Sequence, residues 1–453
     1  MKDTVTYRSG IIEMGDKNLV FFEENYTFHF MVPDYHPASR SHNYRLTASD
    51  NGFLYGTTHD NRTMAIYIDD FDRYIYGSQV KRTDMYIVEH CNLQKYPRER
   101  AVKYDAIEFV GKNLSKVFFP QAISLVKDPE KGQQIEYKDD TITYHFDAGE
   151  IKCTLSVFSL TPTTIGVRGT RVTNEDVCIK LSFDKTQTTL ELRKHLNNIR
   201  MLLSFMTYRA SIDFDHIYLM VKDEKNPNIH KKNWDVFSKL AEDTSKKTNL
   251  ECLTFEDLGD SIETLLKLIY GSKDKKPSYS LGFIPETDSS VNIVSNDTIK
   301  AICSGLECEI SFSDIEDNQE AQEIKAFADK IKELVQEHKH GECPLAPKSY
   351  DKIYGNIRHW GMATADSVIE LYRKHEKAMQ TICGKVRMFV EDRDINEFIK
   401  YRNDVTHGSY RVNNIRIANT AYVLSCLVYC CLLARIGIDE SKIEELCRMK
   451  IGS

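Results

Sequence analysis

The first half of the chain carries short runs in which apolar and polar residues alternate, with many β-branched and aromatic side chains. The clearest runs cover residues 18–22, 26–32, 63–68, 84–89, 140–146 and 151–158. Turn-forming residues such as Asp50-Asn51-Gly52 separate them. Because side chains of a strand point alternately to opposite faces, this pattern predicts an antiparallel sheet or sandwich.

A helical period appears near residues 188–207 and dominates the chain from about residue 255 onward. Apolar residues three and four positions apart line one helix face in two stretches: Leu192, Leu196, Ile199 and Leu203, then Ile262, Leu265, Leu266 and Ile269. Further helices are predicted at 297–312, 319–339, 348–358, 362–382, 391–407, 413–435 and 439–449. Between the two patterns, residues 221–247 are rich in Lys, Asp and Asn, which predicts a surface connection around a short helix.

The length of 453 residues favours two domains, since a domain usually has about 100–200 residues. The change of pattern divides the chain into a β-rich, sandwich-like domain at residues 1–250 and a helical domain at residues 251–453, whose core begins near residue 280. The expected fold class is therefore α+β, with the β-rich domain first and an all-α bundle second.

Composition sets limits on the class of protein. The net charge is −7, which argues against a protein that wraps nucleic acid with a basic surface. The charge is uneven: residues 301–350 carry 11 acidic and 5 basic residues, whereas residues 351–453 carry 13 acidic and 16 basic ones. The start of the chain lacks an apolar leader, and no two of the 12 cysteines form a Cys-x-x-Cys pair. We therefore expect a cytoplasmic protein with reduced thiols.

One apolar stretch, residues 417–434, has the minimum length for a membrane span. Asn419, Thr420 and Ser425 interrupt it, and arginines stand at both ends. A helix buried in a helical core or in a dimer seam explains this composition better than a membrane span, so no membrane partner is expected.

Most standard catalytic motifs are absent from the sequence. There is no Walker A loop, Gly-x-Gly-x-x-Gly, Gly-x-Ser-x-Gly or His-Glu-x-x-His motif. His338, His340 and Cys343 could bind a metal, but without a second group of ligands they favour a helix C-terminus with a stop at Gly341. We expect neither a metal nor an organic cofactor.

One cluster has a spacing suited to chemistry. Arg402-Asn403 is followed by His407-Gly408 at the predicted end of an amphipathic helix, just before the long apolar one. Arginine offers a permanent planar charge for a phosphate, and histidine can exchange a proton near neutral pH. The structural alternative is that Arg402 pairs with a nearby carboxylate or caps its helix, while His407 interacts with the negative end of the helix dipole.

This cluster resembles the signature of the HEPN superfamily, in which four to six residues separate Arg, often followed by Asn, from His at the junction between two helices. The resemblance covers about residues 280–453, and the β-rich half looks like the N-terminal domain of ApeA-type HEPN proteins. The stretches that carry the second likeness are residues 50–56, 66–68, 74–78 and 84–91. Some HEPN toxins have Tyr two residues after the His. Here Ser409 takes that place, and Tyr410 follows it.

The resemblance implies a metal-independent endoribonuclease with Arg402, His407 and Asn403 as catalytic residues. RNA supplies the nucleophile as its 2′-OH, so a base, an acid and a positive charge at the phosphate suffice, and a 2′,3′-cyclic phosphate is the expected product. Because one histidine cannot easily serve as both acid and base, the resemblance also implies a homodimer with a composite site.

Other residues near the motif have less definite roles. Lys400, Tyr410 and Arg411 are candidate RNA contacts, although solvated charges fit the two basic residues equally well. Asp404 is a further candidate at the RNA site, where it would orient Arg402 or simply remain exposed.

The expected role is that of a toxin-like effector of bacterial anti-phage defence. By this resemblance, a phage-derived trigger would release RNA cleavage, with tRNA a plausible substrate, and growth would stop as in abortive infection. The β-rich domain would act as sensor or inhibitor. The alternative is a catalytically inactive HEPN-type module that only binds RNA or dimerises.

Overall fold

The computed structural model describes most of the chain. The described residues are 8–14, 17–31, 43–45, 52–68, 74–76, 78–90, 102–120, 123–128, 132–160, 163–166, 169–172, 176–239, 245–271, 281–290, 293–313, 319–341, 344–358, 365–406 and 414–451. They support the α+β class: strands fill the first half, and helices fill the second.

The chain folds into two compact units. The first, here called the β unit, comprises Met1–Ser204, Ser211–Thr244 and Thr254–Glu256. The second, the helical unit, comprises Phe205–Ala210, Ser245–Leu253 and Asp257–Ser453. The sequence places a single boundary at residue 250, whereas the chain passes between the units several times around residues 204–257.

Nineteen strands lie in the described part of the β unit. They are β1 Arg8–Met14, β2 Lys17–Glu24, β3 Thr27–Met31, β4 Asn43–Arg45, β5 Phe53–Thr58, β6 Thr63–Tyr67, β7 Tyr74–Tyr76, β8 Ser78–Arg82, β9 Met85–Glu89, β10 Lys103–Gly111, β11 Ile123–Asp128, β12 Gly132–Tyr137, β13 Ile142–Ala148, β14 Ile151–Leu160, β15 Thr163–Gly166, β16 Gly169–Val172, β17 Asp176–Thr188, β18 His216–Lys222 and β19 His230–Ser238.

Thirteen of these strands form one antiparallel sheet in the order β13-β14-β17-β10-β18-β19-β9-β6-β5-β1-β2-β3-β8. The remaining strands form three two-stranded ladders, β11–β12, β15–β16 and β4–β7. The alternation predicts an antiparallel sheet or a sandwich, and the described strands form one continuous antiparallel sheet. The reason is pairing: β10 bonds to β17 on one side and β18 on the other, and β19 joins β18 to β9, so no gap divides the ladder.

The prediction of a surface connection with a short helix at 221–247 is wrong for residues 230–238, which form β19. Only Trp234 and Val236 in this strand are buried, so its apolar alternation is too short to stand out among polar residues. One charged residue of β19 forms an ion pair within the sheet, because Lys232 Nζ lies 2.7 Å from Oε1 of the buried Glu108 on β10.

Eleven helices are found in the described residues. They are α1 Thr189–Thr207, α2 Phe255–Leu258, α3 Ser261–Tyr270, α4 Asn296–Ile310, α5 Gln319–Lys339, α6 Pro347–Arg358, α7 Ala365–Lys374, α8 Glu376–Val386, α9 Asp392–Thr406, α10 Ile415–Arg435 and α11 Glu440–Met449. The apolar faces predicted for α1 and α3 are confirmed, since their eight stripe residues are buried.

One predicted helix, 362–382, is in fact two, because the chain breaks at His375 between α7 and α8. The His375 side chain is buried, and its Nδ1 lies 2.9 Å from Glu440 Oε2 at the start of α11. The break therefore lets the His375 side chain contact a third helix, α11. The apolar spacing of α7 and α8 does not indicate this contact.

Helix α10 forms the centre of the helical unit and packs against α4, α8, α9 and α11. It is long and apolar enough to cross a membrane, with a mean hydropathy of 1.9, yet 78% of that apolar window is buried inside the protein. A core helix, the first of the two explanations for residues 417–434, is confirmed. A dimer seam would have to use another surface, because these side chains are already covered.

Candidate functional site

Helix α9 carries the Arg402-Asn403 pair near its C-terminal end. Its start is specified locally, since Asp394 accepts a hydrogen bond from the Glu391 N–H at 3.0 Å and places negative charge at the helix N-terminus. Ile395, Phe398 and Tyr401 form the buried stripe that packs the helix into the unit. This stripe places Arg402 beside the core and leaves Asn403 exposed.

Arg402 is held by two acceptors. Its Nη2 donates to Glu307 Oε1 on α4 at 2.7 Å, and its Nη1 donates to Asn403 Oδ1 at 3.1 Å. The side chains of Arg402 and Glu307 keep 24% and 29% of their accessible surface. The alternative in which Arg402 pairs with a carboxylate is thus observed, and the pair stays in contact with solvent.

Helix α4 supplies the surroundings of the guanidinium. Cys303 lies one turn before Glu307, and burial raises the pKa of its thiol to about 12, with Arg402 opposing and Glu307 adding to that rise. Tyr401 donates from its hydroxyl to Asn296 Oδ1 at 3.1 Å, which joins α9 to the first turn of α4. Arg402 therefore lies against a neutral thiol and one carboxylate.

A second ion pair fixes α9 against α10. Arg416 donates from Nη2 to Asp394 Oδ2 at 2.9 Å and from Nε to Oδ1 of the same buried carboxylate. Burial would raise the pKa of Asp394, but the hydrogen bonds from Arg416 and from the Glu391 N–H leave it lowered overall. Arg416 is thereby committed to a structural contact at the joint between the two helices.

The other predicted site residues are distributed around this end of α9. Lys400 and Asn403 are exposed, and Asp404 is half-buried. Thr406, the last helical residue, donates from its hydroxyl to the Arg402 carbonyl at 2.8 Å. His407, Tyr410 and Arg411 lie outside the described residues, so their positions relative to Arg402 stay predictions.

Sequence reasoning missed Glu307. It lies 95 positions before Arg402, in the segment noted only for its excess of acidic residues. No local spacing links the two, because they meet only when α4 and α9 pack together. Asp394 was missed as the partner of Arg416 for the same reason.

The chemistry available at the described part of the site is anion binding. Arg402 uses two of its five N–H donors in these two bonds, and the exposed Asn403 keeps its NH₂ group as a donor, since Arg402 occupies its oxygen. A phosphate could therefore approach from solvent and compete with Glu307 for the guanidinium.

Of the metal-capable residues near residue 340, His338 has a structural contact, and Cys343 lies outside the described residues. His338 lies in the last turn of α5, and its Nδ1 is 2.9 Å from the Tyr350 hydroxyl on α6. Its interpretation as a helix C-terminus is confirmed. No group of three or more His, Cys, Asp or Glu side chains suited to a metal ion occurs among the described residues.

Comparison with known proteins adds no family. No protein-family model, curated protein or solved structure matches this chain.

Proposed function

We propose that this protein is a metal-independent endoribonuclease of the HEPN type, in which Arg402, Asn403 and His407 cleave RNA. The observation that carries the proposal is the position of Arg402 and Asn403, which lie near the end of α9 in contact with solvent. Both side chains have N–H donors, and these could bind the oxygens of one phosphate. His407 follows directly after the last described residue of this helix.

In the proposed reaction, the 2′-oxygen attacks the adjacent phosphorus and the bond to the 5′-oxygen of the next nucleotide breaks. His407 removes the proton from the 2′-OH, or returns one to the leaving oxygen, while Arg402 stabilises the charge on the phosphate. A second protomer would supply the other proton-transfer group, which makes a homodimer part of this proposal.

The second candidate function is an inactive RNA-binding or dimerisation module. The ion pair between Arg402 and Glu307 favours it, because a guanidinium paired at 2.7 Å in the resting structure is already partly neutralised. In this case Arg402 stabilises the contact of α4 with α9, and RNA is bound without being cut.

The two functions differ in a direct assay. Purified protein is incubated with total RNA and with isolated tRNA, with and without EDTA, and the 3′ ends of any products are identified. Under the nuclease proposal, cleavage persists in EDTA, leaves 2′,3′-cyclic phosphates and falls at least about a hundredfold in Arg402→Ala and His407→Ala. Plain 3′-OH ends would exclude attack by the 2′-OH.

Matched controls separate chemistry from folding. Arg393→Ala removes an exposed arginine from the same helix, and His340→Ala removes an exposed histidine elsewhere in the unit. Both should cleave at the wild-type rate. If all four variants cleave alike, Arg402 and His407 are not the site, and if wild-type protein binds RNA but never cuts it, the module is the better account.

The proposed biological role is anti-phage defence by abortive infection, with a phage-derived trigger sensed by the β unit. Bacterial cells that express the protein are challenged with phages, and growth and tRNA integrity are followed. Protection that is lost in Arg402→Ala but kept in Arg393→Ala would support the role. Equal protection by both variants would disconnect defence from the proposed site.

A further inference from the structure

The helical unit contains a cavity of about 420 Å³ that the proposed nuclease chemistry does not use. Its walls are the first turns of α4, the middle of α10, the segment 281–290 and Tyr208. This volume lies within the usual range for sites that hold a small organic molecule, about 300–1,000 Å³.

The inner part of the cavity is aromatic and rigidly packed. Tyr208, Phe283 and Tyr422 line it, and the Tyr208 ring is fixed by an edge contact with Tyr429 at 5.6 Å between centroids. Flat π-surfaces of this kind bind planar rings through stacking, without preference for a particular base.

The polar groups at the inner end are acceptors. Ser425 donates its single hydroxyl proton to the Tyr422 carbonyl at 2.7 Å, so in its 3.1 Å contact with Tyr208 the tyrosine is the donor. Burial raises the pKa of Tyr208, so its hydroxyl stays neutral. The Tyr208 oxygen thus keeps lone pairs for a donor on a ligand, such as an exocyclic amino group or a ring N–H.

The mouth is also lined by acceptors. Glu286 and Asp297 are both exposed there and place carboxylates at the rim, where hydroxyl groups of a ligand could donate to them. No Lys or Arg is among the described residues that line the cavity. Asp297 is partly compensated, because its Oδ1 lies 3.7 Å from Lys300 Nζ. A phosphate at this rim would therefore be repelled chiefly by Glu286.

We propose that this cavity binds an uncharged nucleoside, with its base against the aromatic side chains and its ribose hydroxyls at Glu286 and Asp297. A planar ring matches the aromatic walls, and donor groups of the ligand match the acceptors at both ends. An uncharged ligand avoids the repulsion that Glu286 would exert on a phosphate. The inference does not depend on RNA cleavage, because binding alone defines the site.

The test is calorimetric titration of the full-length protein with adenosine, guanosine, cytidine and uridine, and with their 5′-monophosphates. At least one nucleoside should bind, and its monophosphate should bind about tenfold more weakly. Tyr422→Ala removes a stacking surface and should weaken nucleoside binding about tenfold. Tyr354→Ala, which removes a half-buried tyrosine outside the cavity, should bind as wild type.

A surface variant keeps the test valid if Tyr422→Ala does not fold. Glu286→Gln keeps the size of an exposed side chain but removes its charge. It should therefore weaken nucleoside binding modestly and reduce the difference in affinity between the nucleoside and its monophosphate. Glu337→Gln, an exposed change on α5, should alter neither value. Failure of all four nucleosides to bind, tighter binding of the monophosphates, or equal effects of Glu286→Gln and Glu337→Gln would overturn the proposal.

Discussion

Replacing Glu307 by Gln should strengthen RNA binding while leaving the fold intact. The change keeps the size of the side chain and an oxygen that can accept from Arg402, but it removes the charge that competes with a phosphate. With both partners about a quarter exposed, solvent screening limits the value of the pair to about 1 kcal/mol. That energy corresponds to about a fivefold gain in affinity and to an equally small loss of stability.

The assay is fluorescence anisotropy with a labelled 2′-O-methyl RNA, which binds but cannot supply the nucleophile. Wild type, Glu307→Gln, Arg402→Ala and the double variant are compared at several salt concentrations. If Glu307 acts through Arg402, the fivefold gain disappears in the Arg402→Ala background. Glu337→Gln removes an equivalent charge from α5 and should change affinity little.

Two results would refute this reasoning. A gain that persists without Arg402 would mean that Glu307 only repels RNA through its general charge. No gain at all, in a variant that remains folded by circular dichroism, would mean that phosphate does not compete for this guanidinium. The second result would favour a purely structural role for the Arg402–Glu307 pair.

The remaining predictions concern stability and are read by urea unfolding. Asp394→Asn should lower the free energy of unfolding by about 1–2 kcal/mol near neutral pH, because it weakens a buried, hydrogen-bonded carboxylate. The pKa of Asp394 is lowered from its ordinary value of 3.8, so this contribution is complete above about pH 4 and is lost as the pH falls through the folded-state pKa. The difference in unfolding free energy between wild type and Asp394→Asn should therefore disappear in acid. Gly10→Ala should destabilise by about 1–3 kcal/mol, because a Cβ would lie 2.2 Å from the Thr57 carbonyl oxygen. Gly384→Ala, where no atom lies within 4 Å of the new Cβ, should instead stabilise α8 by about 0.5–1 kcal/mol. Equal stabilities for the two glycine variants would contradict the packing argument.

Local periodicity was sufficient for most of the secondary structure. The stripes of α1 and α3 repeat every three or four residues, and a helix must bury such a stripe, so the sequence alone predicts both the element and its inner face. Strand β19 shows the limit, because only two of its side chains are buried and neighbouring strands supply its remaining partners. The strand order of the sheet was beyond prediction for a related reason, since it depends on pairing between distant segments.

The candidate site likewise has features that the sequence predicts and features that depend on tertiary packing. The sequence by itself determined that Arg402 and Asn403 fall near the end of an amphipathic helix, because composition and spacing along one helix are local properties. Only the tertiary structure decided that Glu307 holds Arg402, that Asp394 takes Arg416, and that Tyr208 and Tyr422 face one cavity. These contacts join residues far apart in the chain, and their geometry depends on how α4, α9 and α10 pack, which no spacing within one segment encodes.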